Sequence, residues 1–235
     1  MSKRVAILQS NYIPWKGYFD LIASVDEFIL YDDVQFTKND WRNRNTIKTP
    51  TGVNWLSIPV GQAINRRIRD VEVSGSRWRE KHWKTLQINY RRAPCYDEVA
   101  PMLEEIYLAR AETNLSSINR VFIQHICGFL GIQTPLGDSA EYLLPEGRLQ
   151  RLLAICEQAG ASVYVSGPAA KNYLDEKMFL DRGLQVQWFD YRGYPAYPQL
   201  WGEFCHEVSV LDLLFNCGRN AVRFMKCGIQ AHEIP

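Results

Sequence analysis

The first thirty residues contain two short apolar segments separated by a segment with helical periodicity. Residues 4–9 and 27–31 are apolar runs of strand length, and residues 17–24 repeat apolar positions every three to four residues. This order predicts a strand, a helix and a second strand. Two strands joined in this way form a right-handed βαβ unit, which binds ligands beyond the carboxyl ends of its strands.

The same alternation returns in the second half of the chain. The pattern there predicts two helices and two strands in turn, at residues 148–159, 162–165, 169–180 and 185–191. Alternating strands and helices favour a parallel sheet. We therefore expect an α/β fold, with a mostly parallel Rossmann-like sheet flanked by helices.

The middle of the chain has a different pattern. A polar, aromatic-rich stretch comes first, and the segments after it predict two strands (residues 55–60 and 64–73), three helices (78–90, 96–111 and 115–130) and, near the end, a helix at 208–215. No repeat or convincing linker interrupts this order. We expect one domain over residues 1–235, with a helical insertion at roughly 78–130.

Composition narrows the class of protein. The 235 residues are 46% apolar and carry a net charge of +1, which argues against a protein that coats nucleic acid through a basic excess. No apolar run reaches the roughly 18 residues of a membrane span, and no signal peptide is visible, so we expect a cytoplasmic protein without a membrane partner. The six cysteines lack a CxxC pair and only four histidines are present, so no metal site is predicted.

Polar side chains follow both strands of the first unit. Gln9 and Asn11 follow the first strand, and Asp32 and Asp33 follow the second. Because adjacent residues of an extended chain point to opposite sides, only one of the two carboxylates can easily enter a shared crevice. We interpret Asp33 as a candidate general base and Asp32 as a hydrogen-bonding anchor.

The loop at residues 11–18 lies where nucleotidyltransferases of the HxGH class have their phosphate-binding signature. Both histidines are missing here, and Trp15 and Tyr18 cannot replace them as cations. The helix N-terminus, with Lys16 and Lys38 nearby in sequence, still favours phosphate binding. Adenylyl transfer is weakened, and the alternative is a turn whose aromatic rings simply pack.

Further candidates follow from residue type and position. Arg42 and Arg44 could present guanidinium groups to phosphate, or could belong to a solvated loop. Ser166 fits a helix N-cap or a ligand contact better than a nucleophile, since no histidine is obviously paired with it. Cys217 is a weaker catalytic candidate, because a position at the end of a helix raises the pKa of a thiol.

Six blocks in order resemble the WbqC-like family, whose bacterial members are often encoded among genes for O-antigen and related surface polysaccharides. The blocks are residues 9–19, 32–36, 41–45, 164–174, 197–199 and 209–218. One departure is Ser10, where proline is common in the family. The loss of that proline leaves the loop less rigid without removing a functional group.

The resemblance implies a transferase that joins an acyl or aminoacyl group to a nucleotide-linked amino sugar. A phosphopantetheine or coenzyme A thioester is the possible donor, and an acyl carrier protein is a possible partner. The catalytic candidates are Asp33, Asp32 and Cys217, and the substrate-binding candidates are Gln9, Asn11, Tyr12, Trp15, Tyr18, Gln35, Arg42, Arg44, Lys48, Ser166, Gly167, Lys171, Tyr173, Tyr197 and Gln199.

Two other functions stay open from the sequence. One is a nucleotidyltransferase-like enzyme that activates an acid with ATP. The other is a non-catalytic partner that binds a sugar nucleotide or a carrier protein.

Overall fold

A computed structural model describes residues 2–62 and 65–228 of the chain. In chain order the elements are β1 (Arg4–Leu8), α1 (Lys16–Ala23), β2 (Glu27–Leu30), β3 (Arg44–Thr49), β4 (Gly52–Ser57), α2 (Arg77–Tyr90), α3 (Tyr96–Glu104), α4 (Leu115–Leu130), β5 (Leu136–Asp138), α5 (Arg148–Gln158), β6 (Val163–Ser166), α6 (Glu176–Leu180), β7 (Gln185–Trp188) and α7 (Val210–Cys217).

Five strands form one sheet in the order β5-β2-β1-β6-β7, and every neighbouring pair is parallel. The chain first builds outwards from β1 through β2 to β5, and then returns to the other side of β1 for β6 and β7. The strand order therefore reverses between β1 and β6, where open α/β sheets bind their ligands. The predicted Rossmann-like fold is confirmed.

The two faces of β1 belong to two apolar clusters. Val5 and Ile7 pack in a cluster that includes residues of α5 and α6. Ala6 and Leu8 face a larger cluster, which includes residues of α1, α2, α3, α4 and α7. Burial on both faces explains why the strands have nearly continuous apolar sequences.

Most of the predicted helices are present. In α4, the Asn114 side chain accepts a hydrogen bond from the backbone N–H of Ser117, and Gly131 ends the helix at a φ of 74°. The helix predicted at 169–180 is instead a 3₁₀ turn (Pro168–Asn172) followed by the short α6. Asp175 separates the two by capping α6 through the N–H of Lys177.

The strand predicted at 64–73 is wrong. Ile64 lies outside the described residues, and the rest forms a 3₁₀ turn at Ile68–Asp70 with isolated bridges from Arg67 to Gln35 and from Glu72 to Asn114. The strands β3 and β5 were not predicted. The sequence of β3 is polar, so its pattern did not indicate a strand. β3 pairs only with β4, in an antiparallel hairpin outside the main sheet.

The loop after β1 is held in a strained conformation. Ile13 is fully buried and has a φ of 39°, a region that β-branched residues rarely adopt. Asn45 Nδ2 donates hydrogen bonds to the carbonyls of Tyr12 and Ile13, and Ser209 Oγ donates to Ile13 over 2.7 Å. Such strain persists only where the surroundings over-determine it. The hairpin and the start of α7 therefore fix this loop.

Tyr12, in the same loop, belongs to a buried polar cluster with His82 of α2 and with Tyr107, which follows α3. Its hydroxyl lies 2.9 Å from Nδ1 of His82 and 2.5 Å from the hydroxyl of Tyr107. Burial lowers the pKa of His82 to about 4. The imidazole is therefore neutral at pH 7 and would have to gain a charge in the folded protein at acidic pH.

We expect His82 to make the protein less stable as the pH falls. The pKa of histidine in an unfolded chain is near 6.5. Below that pH the side chain is protonated in the unfolded protein but stays neutral in the folded protein. Between pH 7 and pH 5 the free energy of unfolding should fall by roughly 2 kcal/mol from this group. Urea unfolding of the wild type and His82→Gln at both pH values measures it. Equal pH dependence in the two proteins would contradict the account.

Candidate functional site

A cavity of about 940 Å³ lies at the carboxyl edge of the sheet. It is bordered by the ends of β1 and β2 and by the start of α5, at the place where the strand order reverses. Ile7, Leu8 and Leu152 provide part of its apolar wall. Among the predicted site residues, those that line it are Gln9, Asp33, Gln35 and Tyr173.

Positive charge dominates this cavity. Four arginines and two aspartates line it, a formal excess of two positive charges, and a cleft of one sign concentrates anionic ligands. We call it the arginine cavity. Its charged residues are Arg66, Arg67, Arg148, Arg151, Asp33 and Asp70.

Two of these arginines come from the first turns of α5. The guanidinium carbon of Arg148 lies 3.3 Å from the ring centroid of Tyr173. Arg151 donates to two backbone carbonyls, from Nε to Pro145 over 2.9 Å and from Nη1 to Asp33 over 3.3 Å. Within residues 2–62 and 65–228, neither forms an ion pair with a carboxylate. Their charges therefore add to the helix dipole, which favours an anion at the same end of α5.

Asp33 is already engaged by cations. Its carboxylate accepts hydrogen bonds from Arg69 Nη1 at 2.9 and 3.1 Å, from Arg67 Nη1 at 3.3 Å and from Ser139 Oγ at 2.8 Å. The side chain is 7% exposed. A carboxylate with this set of donors orients guanidinium groups, and its general-base role stays a prediction that these contacts do not favour.

Asp32 joins the end of β2 to two other elements. Its carboxylate accepts hydrogen bonds from the backbone N–H of Ser10 at 2.8 Å and from the hydroxyl of Ser116. Burial raises the pKa of this carboxyl, while the hydrogen bonds oppose that shift. These are the contacts of an anchor between the loop after β1 and the start of α4.

A second cavity, of about 600 Å³, adjoins the end of β1 and shares Leu8 with the arginine cavity. Its walls are largely aromatic, and we call it the aromatic cavity. Trp15, Tyr18, Trp41 and Tyr191 supply the rings, and Asn11, His206 and Glu207 supply polar groups.

Comparison with known proteins identifies the family. The sequence model of the WbqC-like protein family matches residues 9–224. The chain belongs to this family. It is also 50% identical over 226 residues to the uncharacterized protein Rv1507c of Mycobacterium tuberculosis (strain ATCC 25618 / H37Rv), an alignment that covers 95% of this chain and 98% of the relative. No solved structure matches the chain.

The predicted site residues of this WbqC-like protein fall into three groups. One group lines the arginine cavity, and a second, with Asn11, Trp15 and Tyr18, lines the aromatic cavity. The third lies elsewhere and includes Tyr12, which is completely buried. Lys48, Tyr197 and Gln199 also belong to this third group.

These last three residues meet around a buried carboxylate. The hydroxyl of Tyr197 and Nε2 of Gln199 donate to Asp212 over 2.9 and 2.8 Å, and Lys48 Nζ donates to Gln199 over 2.7 Å. Burial and the adjacent Asp212 raise the pKa of Tyr197 above its usual range. This network joins the hairpin to α7.

The two predicted arginines of the hairpin region are already in contact with the protein. Arg42 donates to Asn11 Oδ1 and lies 3.4 Å from Asp40. The guanidinium carbon of Arg44 lies 4.2 Å from the ring centroid of Trp55. Neither arginine lines the arginine cavity. The phosphate contacts assigned to them stay predictions.

Lys16, which was predicted from the sequence to lie near a bound phosphate, contacts other protein groups instead. Lys16 Nζ donates to the carbonyls of Pro195 and Phe224 over 3.2 and 3.1 Å, and lies 5.0 Å from the ring centroids of Tyr194 and Tyr197. Burial lowers the pKa of Lys16 to about 8. Its amine is therefore turned into the protein.

The remaining candidates lie at the end of β6, just after it, or at the end of α7. Ser166 is 7% exposed and its hydroxyl lies 3.3 Å from that of Tyr164. Gly167 passes close to Tyr191, and exposed Lys171 lies 5.3 Å from the ring of Trp188. Burial raises the pKa of Cys217 to about 12, which disfavours a reactive thiolate. All six cysteines are free thiols.

The sequence did not point to the arginines that line the main cavity. Arg66 and Arg67 lie in the segment wrongly predicted as a strand, and Arg148 and Arg151 were considered only as part of a helix. The sequence positions of Arg148 and Arg151 could have indicated that they face the ligand side of the sheet. A helix that leads into a parallel strand begins at the carboxyl edge, so cations in its first turns face the ligand side of the sheet.

Two searches of residues 2–62 and 65–228 gave negative results. No group of three histidines, cysteines or acidic residues in this part of the chain is arranged to hold a metal ion. None of its helices combines the length and apolar character needed to cross a bilayer.

We expect Gly17→Ala to destabilise the protein. A Cβ at this position would lie 2.0 Å from the ring of Trp15, which packs against Tyr194 at 4.9 Å between ring centroids. Displacing that ring should cost about 1–3 kcal/mol in urea unfolding.

Gly128→Ala is the matched control for this substitution. Gly128 lies within α4, and an added Cβ meets no atom within 4 Å, so this variant should gain roughly 0.5–1 kcal/mol from helix propensity. The close approach of Gly17 and Trp15 would be refuted by equal stability of the two variants.

Proposed function

We propose that this WbqC-like protein is a transferase that joins an acyl or aminoacyl group to a nucleotide-linked amino sugar, in surface-polysaccharide or natural-product biosynthesis. The observation that carries the proposal is the arginine cavity at the reversal of strand order. The family resemblance supplies the biological setting. The chemistry of the cavity supplies the argument for the anionic substrate.

A nucleoside diphosphate matches this cavity in charge and size. Arg148 and Arg151 have no carboxylate partner within the described residues, and the start of α5 adds backbone N–H groups. Arginine can donate two parallel hydrogen bonds to a phosphate, which lysine cannot. The volume of about 940 Å³ falls within the range of small-molecule and cofactor sites.

Asp33 orders arginine side chains at the arginine cavity. Its carboxylate binds Arg67, which lines the cavity, and Arg69 beside it, so Arg67 stays in place when the ligand is absent. Pre-ordered cations lose less side-chain entropy on binding than free ones. We propose a positioning role for Asp33.

The transfer itself requires a nucleophilic amine and an activated acyl group. The lone pair of the sugar amine attacks the carbonyl carbon of a thioester, and a C–N bond forms as the C–S bond breaks. The sulfur leaves with the electron pair and takes up the proton that the nitrogen loses, so the products are an amide and a free thiol. We propose a coenzyme A or phosphopantetheine thioester as donor, which includes an acyl carrier protein as a possible partner.

Activation of an acid with ATP is a weaker alternative. That chemistry needs cationic groups on the loop between β1 and α1. Lys16, the one lysine in the segment from residue 11 to residue 18, instead donates to two backbone carbonyls. A non-catalytic role as a sugar-nucleotide binding partner uses the same cavity and is distinguished by the product assay below.

We expect replacement of Arg148 and Arg151 by alanine to weaken nucleotide binding. Each charge-assisted hydrogen bond contributes roughly 1.5–3 kcal/mol, so the double variant should bind UDP or dTDP at least about tenfold more weakly. Isothermal titration calorimetry measures the effect. Arg182→Ala is the matched control, because Arg182 is exposed and pairs with Glu157 outside the cavity.

The outcomes separate the possible functions. If the wild type binds neither nucleotide, or the double variant binds as tightly as Arg182→Ala, the proposed substrate class is wrong. Nucleotide binding without product from any acyl thioester and amino-sugar nucleotide favours the non-catalytic partner. Amide formation by the purified protein supports the transferase.

A further inference from the structure

The aromatic cavity has no assigned ligand. We infer that it binds the sugar ring of the nucleotide-linked amino sugar, with the sugar amine directed to Glu207 and His206. This inference deepens the proposed function and rests on it, because the diphosphate must lie in the arginine cavity for the sugar to reach this one. The argument depends on the walls, the polar groups and the position of the cavity.

The aromatic walls suit a sugar ring. Trp15, Tyr18, Trp41 and Tyr191 enclose a space of about 600 Å³, enough for a pyranose. The C–H faces of a pyranose are apolar and pack flat on aromatic rings, while its hydroxyls need polar groups at the edge. Rigid aromatic side chains provide such a surface with little loss of conformational entropy.

Trp41 is the most exposed of the four aromatic residues that line the cavity. It is 45% exposed, an unusual state for tryptophan, and lies at the cavity wall. Its ring centroid is 5.6 Å from that of Trp55, and Trp55 is covered in turn by the guanidinium of Arg44. This stack supports Trp41 from one side, so the ring is held in place as a surface for a ligand.

Polar groups at the cavity provide both donors and acceptors. Arg42 donates to Oδ1 of Asn11, which leaves the amide nitrogen of Asn11 as a donor for a sugar hydroxyl. Glu207 and His206 are exposed at the wall, and their side chains make no hydrogen bond or ion pair within the described residues. A carboxylate and an imidazole favour an amine over a hydroxyl, because a protonated amine is attracted to the carboxylate.

The position of the two cavities fits one extended ligand. Both include Leu8, the last residue of β1, so both lie at the end of the central strand. Ligands of open α/β sheets lie across the carboxyl ends of the strands at such a reversal. A nucleotide sugar with its phosphates near Arg148 would extend over this strand end and carry its sugar into the aromatic cavity.

The test compares three ligands by isothermal titration calorimetry, each as the UDP and the dTDP derivative: the free nucleoside diphosphate, its glucose conjugate and its amino-glucose conjugate. The wild type should bind both conjugates about fivefold or more tightly than the nucleotide alone, because the ring packs on tryptophan. The amino sugar should bind about threefold more tightly than glucose, as expected for an exposed ion pair.

Two variants assign these differences to residues. Trp41→Ala should reduce both conjugates to the affinity of the free nucleotide and leave the nucleotide itself unchanged. Glu207→Gln should remove the preference for the amino sugar alone. Trp201→Ala is the control for loss of a tryptophan, because Trp201 donates to the carbonyl of Asn89 and does not line the cavity.

The outcomes distinguish this inference from the function on which it rests. If the nucleotide binds and depends on Arg148 and Arg151, but the sugar adds no affinity, the inference is overturned and the substrate class stands. The same holds if Trp41→Ala weakens free nucleotide and conjugates equally. Absence of nucleotide binding overturns the proposed function itself.

Discussion

The position of β1 in the sheet is the constraint on which the candidate site depends. Parallel strands all end at one edge, and the chain adds strands first to one side of β1 and then to the other. The helices α1 and α5, which lead into the neighbouring strands, pack in the clusters on opposite faces of β1 and leave a gap where the order reverses. That gap places the loop after β1, the aspartates after β2 and the start of α5 around two adjoining cavities.

Charge pairing distinguishes the cations that hold this edge together from those free to bind a ligand. Arg67 pairs with Asp33 and Asp70, Arg69 pairs with Asp33, and Arg42 donates to Asn11. Arg148 and Arg151 keep their full charge beside a helix N-terminus. A cation paired with a carboxylate has already exchanged its water for a charged partner, so Arg148 and Arg151, which pair with no carboxylate within the described residues, gain more from a phosphate than Arg67 or Arg69.

The sequence predicted the fold well because both halves of the parallel sheet have apolar strands joined by helices of clear period. It predicted the site less well. Gln9, Asp33 and Trp15 line the two cavities because they follow strands closely, a position that topology alone brings to the edge. Lys48, Tyr197 and Gln199 instead meet in a buried polar network with Asp212, and their substrate contacts stay predictions. The sequence could not show this network, because a buried polar network and a binding site use the same residue types.

A crystal structure of the protein with bound UDP or dTDP tests the central claim most directly. The account predicts that the diphosphate lies at the start of α5, within hydrogen-bonding distance of the guanidinium groups of Arg148 and Arg151. A diphosphate bound instead beside Arg42 and Arg44, or at a surface away from the carboxyl edge of the sheet, would contradict it.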